Sequence, residues 1–268
     1  MASVPDKATL LCSIDGSLAP VEEGRISVAD DGFLRGDGAF EVMRLYDGKP
    51  FALEDHLDRL GRSAEGIFLD WDRDAFEREL DALLAANEVP DQCLRLVITR
   101  GGRRIAIVEQ APAFRHDMTL QTVTYEPTVV LTGLKTLSYC ANMTATRIAQ
   151  SRGAKEALLV APGGKVLEAP TSTIFWATAD GTIRTPQLDT GILASITRDR
   201  ILKLVPVEEG DYELADVLEA DEVFLASSVR EVQGVAELDG TAFGAPGPVT
   251  DRIAGLLSER IQAELSTA

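Results

Sequence analysis

Two consecutive stretches of helical periodicity, boxed in by strand-like segments, constrain the fold of this chain more than any other feature. In "LEDHLDRLGRSAEGIFL" (53–69) the side chains Leu53, Leu57, Leu60, Ala64 and Ile67 recur at a spacing that lines one face of a helix. "DRDAFERELDALLAANE" (72–88) repeats the pattern. Residues 9–18, "TLLCSIDGSL", and 39–50, "AFEVMRLYDGKP", read as strands closed by Asp-Gly turns, and "QCLRLVITRGG" (92–102) returns to strand. Amphipathic helices need an apolar sheet face to cover, so residues 1–113 are predicted to form a small α+β domain. The polar, proline-bearing "QAPAFRHDM" (110–118) supplies a linker, placed at 114–118. Residues 119–268 then form a larger domain. Short strands are expected there at 119–126, 156–161, 165–168, 172–178 and 222–227, and helices at 142–152, 196–205 and 248–266. Glycine-rich turns, "APGGKV" and "ADGT", favour a curled sheet or barrel over a doubly wound parallel sheet.

Composition removes several functions. A formal net charge of −17 would repel phosphate backbones and anionic lipid, so neither nucleic acid nor a membrane surface is an expected partner. No apolar run approaches the roughly 18–20 residues of a membrane span. The beginning "MASVPDKATLLC" lacks the basic-then-apolar layout of a signal peptide. Cys12, Cys93 and Cys140 are widely spaced, with no CxxC pair, and read as reduced, buried thiols in a cytoplasmic protein. With only His56 and His116, no metal site is expected.

The chain has six lysines, and five are explained by solvation: Lys7 lies near the beginning, Lys49 and Lys165 in turns, Lys155 and Lys203 on polar helix faces. Lys135, in "GLKTLSY" (133–139), instead follows the apolar run of "TYEPTVVLT", with Leu134 and Leu137 beside it. Its stem could lie along apolar surface with the ammonium in water, which is the commoner use of such a residue. A desolvated amine suited to form a Schiff base is the alternative. Four other stretches bear on the choice. "LEAPTSTIF" (167–175) places Glu168 at a strand end, where it could hold a protonated ring nitrogen or serve as a surface acid. "GILASITRDR" (191–200) places Ser195 and Thr197 at a helix start, suited to phosphate or to ordinary capping. "HLDRL" (56–60) offers Arg59, for an anion or for a salt bridge to Asp55 or Asp58, and "LASSVREV" (225–232) offers two hydroxyls after a strand.

In this order, with "DDGFLRGDGAFEVMRLYDGKPFALEDHLDRL", "LKTLSYCANMTATRIA" and "ADEVFLASSVREVQGV", these stretches resemble the class IV, fold-type IV, pyridoxal-phosphate aminotransferases over about residues 8–240. The group includes branched-chain aminotransferases, D-amino acid transaminases, (R)-selective amine transaminases and aminodeoxychorismate lyases. The resemblance implies a small α+β domain plus a larger pseudo-barrel domain, pyridoxal 5′-phosphate as cofactor, and a homodimer. It makes Lys135 the cofactor-bearing catalytic lysine and Glu168 the ring-nitrogen carboxylate. Arg59, Ile196, Thr197 and Ser228 become phosphate contacts, Tyr139 a neighbour of the cofactor's phenolic oxygen, and Leu193 an apolar residue on the ring. Phe40, Arg35, Arg100 and Arg103 become candidate substrate contacts.

Arg35 in "LRGDGAF" stands where the family pattern has an aromatic or small residue, and it could bind a substrate α-carboxylate through two hydrogen bonds. Arg103 and Arg104, in "TRGGRRI", are equally suited to salt bridges within an acidic protein. The Arg35 arrangement resembles D-amino acid transaminases, which makes a D-amino acid and a 2-oxo acid the expected substrates, with (R)-amines as a further class. The "RGDG" and "KTLSY" variants also resemble aminodeoxychorismate lyases, in which the same lysine chemistry expels pyruvate. Branched-chain L-amino acids are the third alternative. Thr173, Ala169 and Gly234 depart from a usual asparagine, glycine and proline, and bear on subtype more than on the cofactor.

Overall fold

The computed structural model describes residues 10–87, 90–113 and 117–267. Lys7, Thr9, Glu88 and residues 114–116 of the expected linker, His116 included, lie outside the described residues. The chain divides into two compact units. The first takes the residues up to Ala111 together with Leu134–Ser138; the second takes Pro112–Gly133 and everything from Tyr139. Residues 134–138, expected in the C-terminal domain, therefore belong with the N-terminal one.

The first unit holds strands β1 (Leu11–Ile14) and β2 (Ser17–Pro20), helix α1 (Asp31–Arg35), strands β3 (Gly38–Tyr46) and β4 (Lys49–Pro50), helices α2 (Leu53–Gly66) and α3 (Arg73–Ala86), and strands β5 (Gln92–Thr99) and β6 (Arg104–Gln110). The six strands form one sheet in the order β2-β1-β6-β5-β3-β4, every pairing antiparallel. Both Asp-Gly turns close hairpins with positive φ at the two central residues: Asp15 (50°) with Gly16 (84°), and Asp47 (49°) with Gly48 (80°). That conformation gives the turn a twist matching its strands. Side chains alternate along β3, so Ala39, Met43 and Leu45 face the helices. There they are buried with Leu57, Leu60 and Ala64 of α2, Phe76, Leu80 and Leu83 of α3, and Leu94, Leu96, Ile98, Ala106 and Val108. Asp72 caps α3 by accepting from the Ala75 N–H at 2.9 Å. Strand β6, where the sequence reading has only an arginine-rich loop and the approach to a linker, fills the sheet between β1 and β5.

The second unit contains β7 (Met118–Thr124), α4 (Cys140–Ser151), β8 (Glu156–Val160), β9 (Thr173–Ala177), β10 (Ile183–Pro186), α5 (Ile196–Leu204), β11 (Glu208–Gly210), α6 (Leu214–Leu218), β12 (Glu222–Ser227), β13 (Glu231–Leu238), β14 (Thr241–Ala242) and α7 (Pro248–Thr267). Their sheet runs β11-β10-β9-β12-β13-β7-β8, with β14 beside β13. Strands β8 and β9 are buried along their whole length, which is why each is apolar after its first residue, Glu156 or Thr173. The parallel pair β7–β8 is joined through α4, as a parallel connection requires a crossover. The expected strand at 165–168 is absent. Instead Val166 bridges to Val160 and Lys165 to Glu213, and the Val166 N–H donates to the Tyr212 carbonyl at 2.9 Å. These bridges link the β8 edge to the chain just after β11 and curl the sheet toward closure. Glu222 accepts from the N–H groups of Val249 and Thr250 at 2.9 and 2.8 Å and anchors the start of α7. No helix among the described residues is long and apolar enough to cross a membrane.

Candidate active site

Lys135 is held in an extended segment that meets β3 of the first unit at an isolated bridge. Its carbonyl accepts from the Phe40 N–H at 3.0 Å, Leu137 donates to the Gly38 carbonyl at 2.9 Å, and Thr136 bridges Ala39. The Lys135 N–H donates to Ser63 Oγ of α2 at 3.1 Å. Two glycines leave room for this segment. A Cβ on Gly38 would stand 2.3 Å from the Ile98 carbonyl oxygen and 2.7 Å from Leu137 Cδ1, and one on Gly66 would stand 2.6 Å from Leu134 Cδ1. Lys135 Nζ lies 4.4 Å from the centroid of the Phe40 ring, where a ring face attracts an ammonium. Phe40, expected to meet substrate, thus packs first against the lysine.

Arg59 is buried on α2 and forks onto Glu41 of β3, with Nε to Oε1 and Nη2 to Oε2 both 2.7 Å. His56 Nδ1 stands 2.8 Å from Glu41 Oε2. Burial opposes the charge on Glu41, but Arg59 and His56 outweigh it and hold the carboxyl at about 2. Burial pushes His56 below its ordinary value, with Arg59 and Lys135 adding to the effect against the pull of Glu41. Arg59 thus takes a carboxylate partner from β3, while Asp58, a candidate partner on its own helix, pairs with Arg73 at 2.6 Å. Glu41 and His56 escaped sequence reasoning, although the signals were there. Glu41 interrupts the apolar side of β3, and His56 precedes Arg59 by three positions, on the same helix face.

In the second unit, Glu168 follows β8's neighbouring segment. Its carbonyl accepts from Leu159 N–H at 2.9 Å, and its Oε1 accepts from Leu193 N–H at 3.2 Å, so the carboxylate is aimed by backbone. Burial, and then the charge of Glu168, push the Tyr125 hydroxyl up. Ser195 caps α5, accepting from Arg198 N–H at 3.3 Å. Ile196 and Thr197, both buried, form the first helical positions, whose N–H groups have no partner within a helix. Ser228 sits in the 228–230 loop between β12 and β13. The Tyr139 hydroxyl donates to the Pro170 carbonyl, joined there by Asn142 Nδ2 at 3.4 Å. Just beyond, Ser172 Oγ and Thr173 Oγ1 are buried with no hydrogen-bond partner among the described residues.

The candidate arginines are placed differently from one another. Arg35 ends α1, its side chain 69% exposed, paired with Asp31 one turn back. Arg100 is bound to Asp37 and donates to the carbonyls of Ile67 and Phe68 at the end of α2. Arg103 pairs with Asp15, and Arg104 with Glu79 at 2.7 Å. Arg100, Arg103 and Arg104 therefore each hold loops or helix ends of the first unit.

Each unit carries groups of a chemistry that pyridoxal phosphate takes. Lys135 offers an amine for an aldehyde, Glu168 a carboxylate for a ring N–H, and α5 an N-terminus for a phosphate. Unpartnered buried hydroxyls at Ser172 and Thr173, close in sequence to Glu168, are what a polar ligand or water would satisfy.

Comparison with known proteins points the same way. The family profile of the class IV amino-transferases matches residues 38–238. The chain is 31% identical to the D-alanine aminotransferase of Listeria monocytogenes, the match covering 92% of this chain and 95% of that one. It is 30% identical to a putative branched-chain-amino-acid aminotransferase of Methanocaldococcus jannaschii, covering 85% and 87%. The aminodeoxychorismate lyase of Bacillus subtilis is 28% identical, covering 93% and 94%. Among solved structures, the fold IV-transaminase CpuTA1 of Curtobacterium pusillum superposes with a TM-score of 0.84 at 28% identity, over 93% of this chain and 99% of that one.

Proposed function

We propose that this chain, which belongs to the class IV aminotransferase family and is a pyridoxal-phosphate-dependent transaminase, moves an amino group between a D-amino acid and a 2-oxo acid. When bound, pyridoxal phosphate supplies an electron-poor ring that stabilises negative charge at the amino-bearing carbon. Lys135 would carry the cofactor aldehyde and, once released, use Nζ to take the Cα proton of the substrate and return it. Arginine would fail here because it stays protonated. Glu168, aimed by the Leu193 N–H, would keep the ring nitrogen protonated. The first turn of α5, with Thr197, together with Ser228 and Arg59, would hold the phosphate. Glu41, with His56 on the same carboxylate, keeps the Arg59 guanidinium fixed. Leu193 would pack on the ring, and Tyr139 would stand near the phenolic oxygen.

Arg35 carries the substrate assignment. Its ion pair is with Asp31 of its own helix and is largely exposed, so it is worth at most about 1 kcal/mol and yields readily to a substrate carboxylate. Arg35→Ala should weaken D-alanine and D-glutamate far more than a simple (R)-arylamine; equal losses would remove Arg35 from the site. Half-reaction rates with D-alanine, D-glutamate, L-leucine and an (R)-arylamine test the assignment as a whole. Faster reaction of L-leucine would favour the branched-chain relatives.

The likeness to an aminodeoxychorismate lyase over nearly the full length, with "RGDG" and "KTLSY", supports a second reading. Pyruvate release from aminodeoxychorismate, without amino transfer from any amino acid, would establish it. A homodimer belongs to the proposal as well. Val28, Phe33 and Leu34 of the first unit, and Val129 and Val130 of the second, are more than half exposed, as suits surfaces that a second copy covers. Free thiols at Cys12, Cys93 and Cys140 suit a cytoplasmic, reducing setting. Light scattering that returns a monomer at micromolar concentration would overturn the dimer.

A further inference from the structure

The loop that carries Ser228 also carries an arginine with no part in the chemistry above. Residues 228–230 connect β12 to β13, and Glu231 completes the hairpin with φ at 55°, the left-handed conformation that lets a short loop reverse the chain. Arg230 turns inward from this loop, its side chain 23% exposed. Its Nη2 donates to Glu156 Oε2 at 2.8 Å and reaches Thr171 Oγ1 at 3.4 Å. Its Nη1 donates to Gln233 Oε1 at 3.3 Å and touches Met118 Sδ at 3.9 Å. Glu156 is buried at the start of β8, where its other oxygen accepts from Thr146 of α4 and from the Ala157 N–H. One guanidinium thus joins the Ser228 loop to β7, β8, β13 and the turn that follows Glu168.

We propose that Arg230 is a positioning residue: paired with Glu156, it fixes the Ser228 loop against the 169–172 turn and so sets the grip on the cofactor phosphate. This rests on the cofactor assignment made above. The pairing suits that task. A carboxylate buried at a strand start holds its partner in one place, and the planar fork of arginine binds Glu156 with one arm and Gln233 with the other. A lysine has one nitrogen and cannot span both. The turn carrying Thr171 lies immediately after Glu168, so a shift of Arg230 would disturb the phosphate contact and the ring contact together.

The test measures pyridoxal phosphate binding to the apo protein by fluorescence quenching, the 31P resonance of the bound phosphate, and the apo melting midpoint. The variants are Arg230→Met, Arg230→Lys and Thr171→Ala. Arg230→Met should weaken cofactor binding by about 10- to 100-fold, the range found when a group that orients a ligand-holding residue is removed. It should also move the 31P resonance. Arg230→Lys should recover part of the affinity. Thr171→Ala should weaken binding a few-fold with the melting midpoint unchanged, and it decides the matter if Arg230→Met does not fold. Wild-type affinity and an unmoved 31P resonance in Thr171→Ala and Arg230→Lys, or in Arg230→Met whatever its melting midpoint, would reduce Arg230 to a structural ion pair. Wild-type protein that binds no pyridoxal phosphate would overturn the cofactor assignment itself, and this inference with it.

Discussion

The two faces of helix α2 treat charge in opposite ways. On the inner face, Arg59 and His56 share one carboxylate, Glu41, in a cluster with no side chain more than 7% exposed. On the outer face, Glu54 and Asp58 reach Arg73 at 2.6 Å each, and Glu77 of α3 reaches it at the same distance. Arg73 gathers three carboxylates, yet the inner cluster should matter far more. Charges in water are solvated whether or not they pair, so the outer contacts gain little. Charges out of water depend on each other, and removing one leaves the rest stranded. The solvent each group has lost is the guide to what its pairing is worth.

Removing Glu41 should test this most severely. Glu41→Gln leaves a buried guanidinium without its counter-charge, and urea denaturation should show a loss of about 3–5 kcal/mol. A loss below about 1 kcal/mol would mean that the inner cluster is no different from the outer one. The pH profile should separate the faces next. Glu41 has its pKa lowered on folding, from 4.5 to about 2, so its contribution is complete above pH 4.5 and lost as pH falls toward 2. His56 also has its value lowered, from 6.5, and the unfolded chain takes up that proton first. Stability should therefore begin to fall below pH 6.5 and fall again below 4.5. The second step should shrink in Glu41→Gln and persist in Arg73→Ala. Arg73→Ala itself should cost about 1 kcal/mol or less, and 1 M NaCl, where the screening length is near 3 Å, should erase most of that. The smallest effect sharpens the contrast through thiols. Cys140, expected to be buried like the other two, is exposed at the start of α4 and should react first with a thiol reagent at pH 8. Burial pushes Cys93 up to about 11 and raises Cys12, so both should resist.

The periodic parts of the molecule were legible in its sequence, and the paired parts were not. Helices α2, α3, α4, α5 and α7 lie within about two residues of their predicted limits at nearly every end, because a helix face is written in the spacing of its own residues. Both Asp-Gly hairpins of the first unit were equally plain. Strands β6, β10 and β13 went unassigned. Arg104 opens β6 with a charge that Glu79 neutralises from α3, and no local pattern reveals such a partner. The 165–168 segment has strand composition but makes only isolated bridges. Of the residues proposed for the site, Lys135, Glu168 and Thr197 each allowed an ordinary structural role and were singled out by their order along the chain and the family resemblance. Glu41, Ser63 and Arg230 act by supporting others, across separations of 18, 72 and 74 residues. Such roles arise from tertiary pairing, which one sequence does not display.

The five residues from Leu134 to Ser138 stitch a later part of the chain into an earlier unit. During synthesis, the first sheet must therefore wait, its β3 margin uncapped at Gly38–Phe40, until the ribosome has passed Ser138. Cutting the gene at residue 111 would yield a small unit without its lysine, and a remainder carrying that lysine with no sheet to receive it. Neither product would hold Lys135 against Gly38–Phe40, so the two units must be inherited, expressed and engineered as one piece.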